Sequence, residues 1–265
     1  MAVLSAARRL LGAIGLSIAL GMTLLAAPAW AVEPPCAVAK PVFSVRKGLD
    51  RLAIELRRQA KIRILAIGSS STSGVGATAP ERAYPAQLQA HLAGLTGRSD
   101  VVVENEGIAG EAADATIGRL EAKVAEGRYD LVIWQVGTND AVRGADEGAF
   151  RDYLARGIAV VRRSGADLVL LDQQFFPSVK DPARYERYVA ILAETAQAGG
   201  VALFSRFALM KAWGERSRET LQGMLAGDGF HMSDRGYGCL AALLADDLLK
   251  AVAPGASAPA VAGIR

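Results

Sequence analysis

The chain is poor in the residues that most metal and redox chemistries need. Its 265 residues include two cysteines and two histidines, and aromatics make up only 6%. Cys36, Cys239, His91 and His231 lie too far apart in sequence to form a recognisable zinc pattern. An excess of one charge is also missing. With 30 Lys and Arg against 27 Asp and Glu, the chain lacks the basic balance of an electrostatic nucleic-acid binder. Beyond the N-terminus no apolar run is long enough to cross a membrane. No internal repeat or second domain is visible.

What is present begins with an export signal. Arg8 and Arg9 precede an apolar stretch from Leu10 to Pro28, and Ala29-Trp30-Ala31 has the small-x-small form of a cleavage site. Residues 1–31 therefore read as a signal peptide, which predicts a periplasmic or secreted protein without a stable membrane anchor. Cys36 follows Glu33-Pro34-Pro35, which is no lipobox. In an exported chain two cysteines predict one disulfide, Cys36 to Cys239, tying the N-terminal arm to a C-terminal helix. Residues 32–253 read as one domain with an N-terminal arm and a leading helix near 44–60, and residues 254–265 as a disordered Pro/Ala/Gly tail.

Within that domain short β-branched runs alternate with amphipathic stretches. Strands are expected at Ile62–Ile67, Val101–Asn105, Leu131–Val136, Leu168–Asp172 and Val201–Phe204. Helices are expected near 82–95, 111–126, 146–163, 182–198 and 234–251. Strands apolar on both faces and separated by helices predict a three-layer α/β/α fold around a doubly wound parallel sheet of about five strands. Ligands in such sheets bind at the carboxyl ends of the strands. Four polar motifs sit just there: Gly68–Gly74, Asn105–Gly110, Gly137–Asp140 and, after a helical excursion, Asp228–His231.

These motifs hold the parts of a serine nucleophile site. A serine needs a base, and the base needs an acid to fix its tautomer. His231 lies three residues after Asp228, a spacing that lets a turn bring carboxylate to imidazole, whereas His91 lies on a helix face expected to be solvated. Gly110 can offer a backbone N–H and Asn139 a side-chain amide to a developing oxyanion. Read singly, Gly110 is a turn glycine, Asn139 a helix cap and Asp228 a loop cap. Their shared sheet edge favours the catalytic reading.

The four blocks resemble those of the SGNH or GDSL-type hydrolases, in the family's order, over about residues 60–250. The resemblance puts Ser70 at the nucleophile, with Ser69 and Ser71 its neighbours, and Asp228 and His231 in the triad. It puts the Ser70 and Gly110 N–H groups and the Asn139 amide in the oxyanion hole. Two departures stand out: Ser69 replaces the usual aspartate, and Met232 the proline that often follows the histidine. The family implies hydrolysis through an acyl-enzyme, with no metal or cofactor, on a small-molecule or saccharide ester. Trp134, Gln135, Gln173, Gln174, Phe175 and Phe176 flank strand ends, and amides beside aromatics suit sugar hydroxyls, which mildly favours short-acyl or carbohydrate O-acetyl esters, although Trp134 and Phe175 read more readily as core. A lysophospholipase or thioesterase and an O-acyltransferase share the same blocks. A flavodoxin-like binding module would explain the serine-rich loop but not Asn139, Asp228 and His231. A P-loop is excluded, because Val75 and not lysine follows Gly74.

Overall fold

The computed structural model describes residues 36–38, 42–45 and 47–253. The signal peptide and the tail expected from the sequence lie outside the described residues. The described residues form one compact unit.

Short apolar runs build the sheet. Strand β1 (Phe43–Val45) precedes helix α1 (Asp50–Arg58), then β2 (Ile62–Gly68), the short α2 (Ser70–Ser73) and α3 (Tyr84–Thr96). There follow β3 (Val101–Gly107), α4 (Ala113–Glu126), β4 (Leu131–Gln135), α5 (Thr138–Arg143), α6 (Glu147–Ser164) and β5 (Asp167–Leu171). Among the described residues the last elements are α7 (Pro182–Gly199), β6 (Ala202–Phe204), α8 (Arg206–Arg216), α9 (Arg218–Met224) and α10 (Asp234–Val252). Ile62, Ile64, Ala66, Leu131, Ile133, Val169 and Leu171 face one core with residues of α3, α8 and α10. Leu65, Ile67, Val132, Trp134, Leu168 and Leu170 face the other, against α4, α6 and α7. Each central strand thus buries both faces, which is why its sequence is apolar at nearly every position.

The strand order is β1-β6-β5-β4-β2-β3, parallel from β6 to β3. The five parallel strands are those expected. The sixth, β1, pairs antiparallel with β6 (Phe43 opposite Phe204) and occupies part of the segment expected to be one helix over 44–60. That helix is confined to α1. The chain leaves β2 for the edge strand β3, then returns across β2 to β4, so strand order reverses between β2 and β4. This switch point opens a crevice at the strands' carboxyl ends. Ser70 follows β2 and Asn139 follows β4, so the two flank it.

Cys36 and Cys239 form a disulfide with Cα atoms 5.1 Å apart, anchoring the N-terminal arm to α10. Among the described residues no helix is long and apolar enough to cross a membrane.

Candidate active site

The three serines after Gly68 part ways. Ser69 is buried, and both its N–H and hydroxyl donate to Gln135 Oε1, at 3.0 and 3.1 Å. Ser71 is buried too, its hydroxyl donating to Gln174 Oε1 at 2.9 Å. Ser70, first residue of α2, instead presents its Oγ 2.9 Å from His231 Nε2. Its backbone N–H belongs to the first turn, where no carbonyl four residues back can accept it.

Asp228 shapes the loop that delivers His231. Its Oδ1 accepts the N–H groups of Phe230 and His231, each at 2.9 Å, closing the turn. Its Oδ2 lies 2.6 Å from His231 Nδ1. That contact holds the proton on Nδ1 and leaves the Nε2 lone pair facing Ser70. Partial burial pushes the Asp228 carboxyl up, but the hydrogen bonds from the His231 ring and the two N–H groups outweigh it and keep its pKa below the usual carboxylate value. The loop is closed behind by Leu225 and Met232, which form an antiparallel bridge. Met232, in the place expected for proline, is fully buried. Gly76, with φ +94°, packs against this backbone: a Cβ there would lie 2.5 Å from the Met232 carbonyl oxygen.

The loop after β3 lies beside the serine loop, its Ile108 N–H donating to the Gly68 carbonyl at 2.9 Å. Glu111 N–H bonds back to the Ile108 carbonyl, and Gly110 has φ +84°, the left-handed value that the third residue of a type II turn requires. Asn139, in the first turn of α5, donates through Nδ2 to the Glu111 carbonyl at 2.6 Å. The same amide carries a second N–H. Asp140 is buried, and burial pushes its carboxyl up despite the hydrogen bond from the Ala113 N–H. Ser70, Asp228 and His231 are therefore in direct contact, while Gly110 and Asn139 meet through Glu111 at the neighbouring strand ends. His91 is half-buried in α3, not solvated as expected, and burial lowers its pKa.

The reading of the strand-end amides as sugar contacts is overturned, whereas Trp134 belongs to the core, in line with its alternative reading. Trp134, Gln135, Gln173 and Gln174 are buried below the crevice, with Gln135 and Gln174 bound to the serine loop. Gln174 Nε2 also donates to the Phe230 carbonyl at 3.1 Å, linking the nucleophile loop to the histidine loop. Phe176 does reach open space. It lines a cavity of about 270 Å³ with Ala141, Val142, Val179, Tyr185 and Phe230 and the polar Ser178, Lys180, Asp181 and Arg184; Ala141 and Phe230 lie close in sequence to Asn139 and His231. Sequence reasoning also missed Arg206, fully buried beneath the site, whose Nε donates to the Asp172 carbonyl at 3.1 Å and whose Nη2 lies 3.4 Å from Thr138 Oγ1. Its only signal was a polar pair, Ser205-Arg206, at the end of an apolar strand. Among the described residues no group of three or more His, Cys, Asp or Glu side chains could hold a metal ion.

Comparison with known proteins places the chain among esterases. The model of the non-GDSL lipase-like family matches residues 35–254. Esterase TesA of Pseudomonas aeruginosa is 28% identical over 184 residues, 69% of this chain and 86% of TesA. An arylesterase of Vibrio mimicus is 28% identical over 120 residues, 45% of this chain and 58% of its own length. The crystal structure of TesA superposes with a TM-score of 0.62, covering 72% of this chain and 99% of TesA. The fold is shared as well by a two-domain esterase active on acetylated mannans, at 19% identity and a TM-score of 0.63, covering 82% of this chain and 57% of that one. The chain is a carboxylic ester hydrolase of the SGNH type and belongs to the non-GDSL lipase-like family.

Proposed function

We propose that this chain is an exported serine esterase working through a Ser70–His231–Asp228 triad and an acyl-enzyme. The observation that carries the reading is the unbroken line of contacts, Ser70 Oγ to His231 Nε2 at 2.9 Å and His231 Nδ1 to Asp228 Oδ2 at 2.6 Å. His231 Nε2 takes the Ser70 proton as Oγ attacks the ester carbonyl carbon. The carbonyl π electrons move onto its oxygen, which the N–H groups of Ser70 and Gly110 and the free N–H of Asn139 Nδ2 receive. Collapse of the tetrahedral intermediate breaks the carbon–oxygen bond to the alcohol, which leaves with the proton from His231. Water then attacks the acyl-enzyme with His231 as base, releasing the acid and restoring Ser70. Asp228 stabilises the imidazolium formed in both steps, and its low pKa keeps it ionised.

Export is supported by the basic-apolar-small pattern of residues 1–31 and by the Cys36–Cys239 disulfide, a bond that persists in oxidising compartments. The substrate is a small-molecule or saccharide ester with a short acyl group. The cavity near Asn139 and His231 has an apolar side formed by Ala141, Val142, Phe176 and Phe230, which favours a second reading, longer acyl chains as in a thioesterase or lysophospholipase. Ser70→Ala should abolish turnover of p-nitrophenyl acetate in a folded protein; activity like wild type in that variant would refute the triad. An acyl-chain-length series separates the two substrate readings, and product analysis with a saccharide acceptor tests for transfer to sugar.

A further inference from the structure

Arg119 contacts neither the triad nor the cavity, yet its guanidinium grips both ends of the loop that follows β3. From α4 it reaches back to the Glu106 carbonyl oxygen, with Nη1 and Nη2 each at 3.1 Å. Its Nε lies 2.9 and 3.1 Å from the two Glu111 carboxylate oxygens, and Nη2 lies 2.5 Å from Oε2. Thr116 Oγ1 donates to the same carboxylate at 3.2 Å. Only 24% of the Arg119 side chain and 13% of that of Glu111 are exposed, so solvent screens the pair less than a surface bridge.

What lies between those two anchors gives the clamp its meaning. Ile108, Ala109 and Gly110 form the exposed tip of the loop, and exposed tips are mobile unless held at their base. The turn that orients the Gly110 N–H closes on the Glu111 N–H, and the Asn139 amide is aimed by the Glu111 carbonyl. Arg143 Nη2 also holds the Gly110 carbonyl at 2.6 Å, but Glu111 is the residue that meets both donors, and Arg119 holds Glu111. We propose that Arg119 is a positioning residue of the oxyanion hole, fixing the Gly110 N–H and the Asn139 amide by clamping the Glu106 carbonyl to the Glu111 carboxylate. The inference rests on the triad and oxyanion reading above.

The planar fork is what this task requires. A guanidinium can bond a carbonyl and a carboxylate at once in fixed directions, whereas an ammonium is a point charge on a flexible stem. Arg119→Lys keeps the charge and loses the fork, so it separates positioning from a long-range field effect.

The experiment measures kcat, KM and thermal midpoint for wild type, Arg119→Ala and Arg119→Lys, together with the fraction of chains that a fluorophosphonate blocks at Ser70. Arg119→Ala should lower kcat about tenfold or more, part of the 10²–10³-fold cost of deleting one oxyanion donor, with KM unchanged. Arg119→Lys should fall with it. Guanidinium ion at sub-denaturing concentration should restore part of the kcat of Arg119→Ala, and ammonium should not. Labelling should still reach one phosphonate per chain, only more slowly. Wild-type kcat in Arg119→Ala, or full activity in Arg119→Lys, overturns the inference. So does a joint fall of kcat, KM and thermal midpoint without guanidinium rescue, which marks a merely structural role. Failure of the wild type to label at Ser70 overturns the triad reading instead, whatever the Arg119 variants do.

Discussion

Gly76 touches no substrate atom, yet its replacement by alanine should disable the site. A Cβ at Gly76 would meet the Met232 carbonyl oxygen at 2.5 Å, His231 Cβ at 3.0 Å and Ala226 Cβ at 3.1 Å, where ordinary contact begins at 3.4 Å. The nearest of these atoms is backbone, so the two segments must part. The shortfall against Met232 approaches the 1 Å misplacement that costs about 100-fold in rate. His231 moves with that backbone, and its 2.9 Å contact with Ser70 opens. An L side chain at φ +94° adds strain of about 1–2 kcal/mol. Gly229→Asn is the matched control. Gly229 also has a positive φ of +65° and sits two residues before His231, but nothing lies within 4 Å of its added Cβ. Asparagine tolerates the left-handed region better than most residues. Steady-state hydrolysis of p-nitrophenyl acetate, read beside thermal midpoints, should show kcat about two orders of magnitude down in Gly76→Ala and near wild type in Gly229→Asn. A Gly76→Ala enzyme with wild-type kcat, or equal losses in both variants, refutes the steric reasoning.

Other parts of the structure make further predictions. The Cys36–Cys239 bond closes a loop of 203 residues, so Cys36→Ala with Cys239→Ala should cost about 2–5 kcal/mol in chemical denaturation; a change near zero would contradict it. Asp167 and the wholly buried Asp172 are both pushed up to about 6 by burial. Their folded pKa values exceed the unfolded value of about 3.9, so their contribution is full below pH ~4 and is lost as pH rises through about 6. The thermal midpoint should therefore decline over that window, and Asp172→Asn should flatten the decline; an unchanged slope would contradict the assignment. Val142 is half exposed at the cavity, so Val142→Trp should raise KM for long-chain p-nitrophenyl esters and spare the acetate. Equal effects on both would remove the cavity from acyl binding.

The fold was legible because its strands are local apolar runs buried on both faces, as in Ile62–Gly68 and Leu131–Gln135. Strand β1 escaped because three residues show no period, and its pairing with β6 spans most of the chain. The candidate site residues were legible as motifs at strand ends, including Asp228 and His231 within one turn. The family resemblance favoured Ser70 over Ser69 and Ser71 by register alone. Their separation depends on which way each hydroxyl points, and that is set by Gln135, Gln174 and His231 from distant segments. Gln135 and Gln174 were misread for the same reason. A glutamine at the end of an apolar strand looks alike in sequence whether it faces a sugar or the neighbouring loop. Arg119 carried no signal at all, since it sits 8 and 13 residues from its partners on an ordinary amphipathic helix.

The central claim is that one hydroxyl of the three, Ser70, attacks the ester. Peptide mass mapping after stoichiometric inactivation by a p-nitrophenyl phosphonate tests it directly. The account predicts a single adduct per chain, localised by fragmentation to Ser70 and absent from Ser70→Ala and His231→Ala. An adduct on Ser69 or Ser71, or labelling that persists in Ser70→Ala, would contradict it.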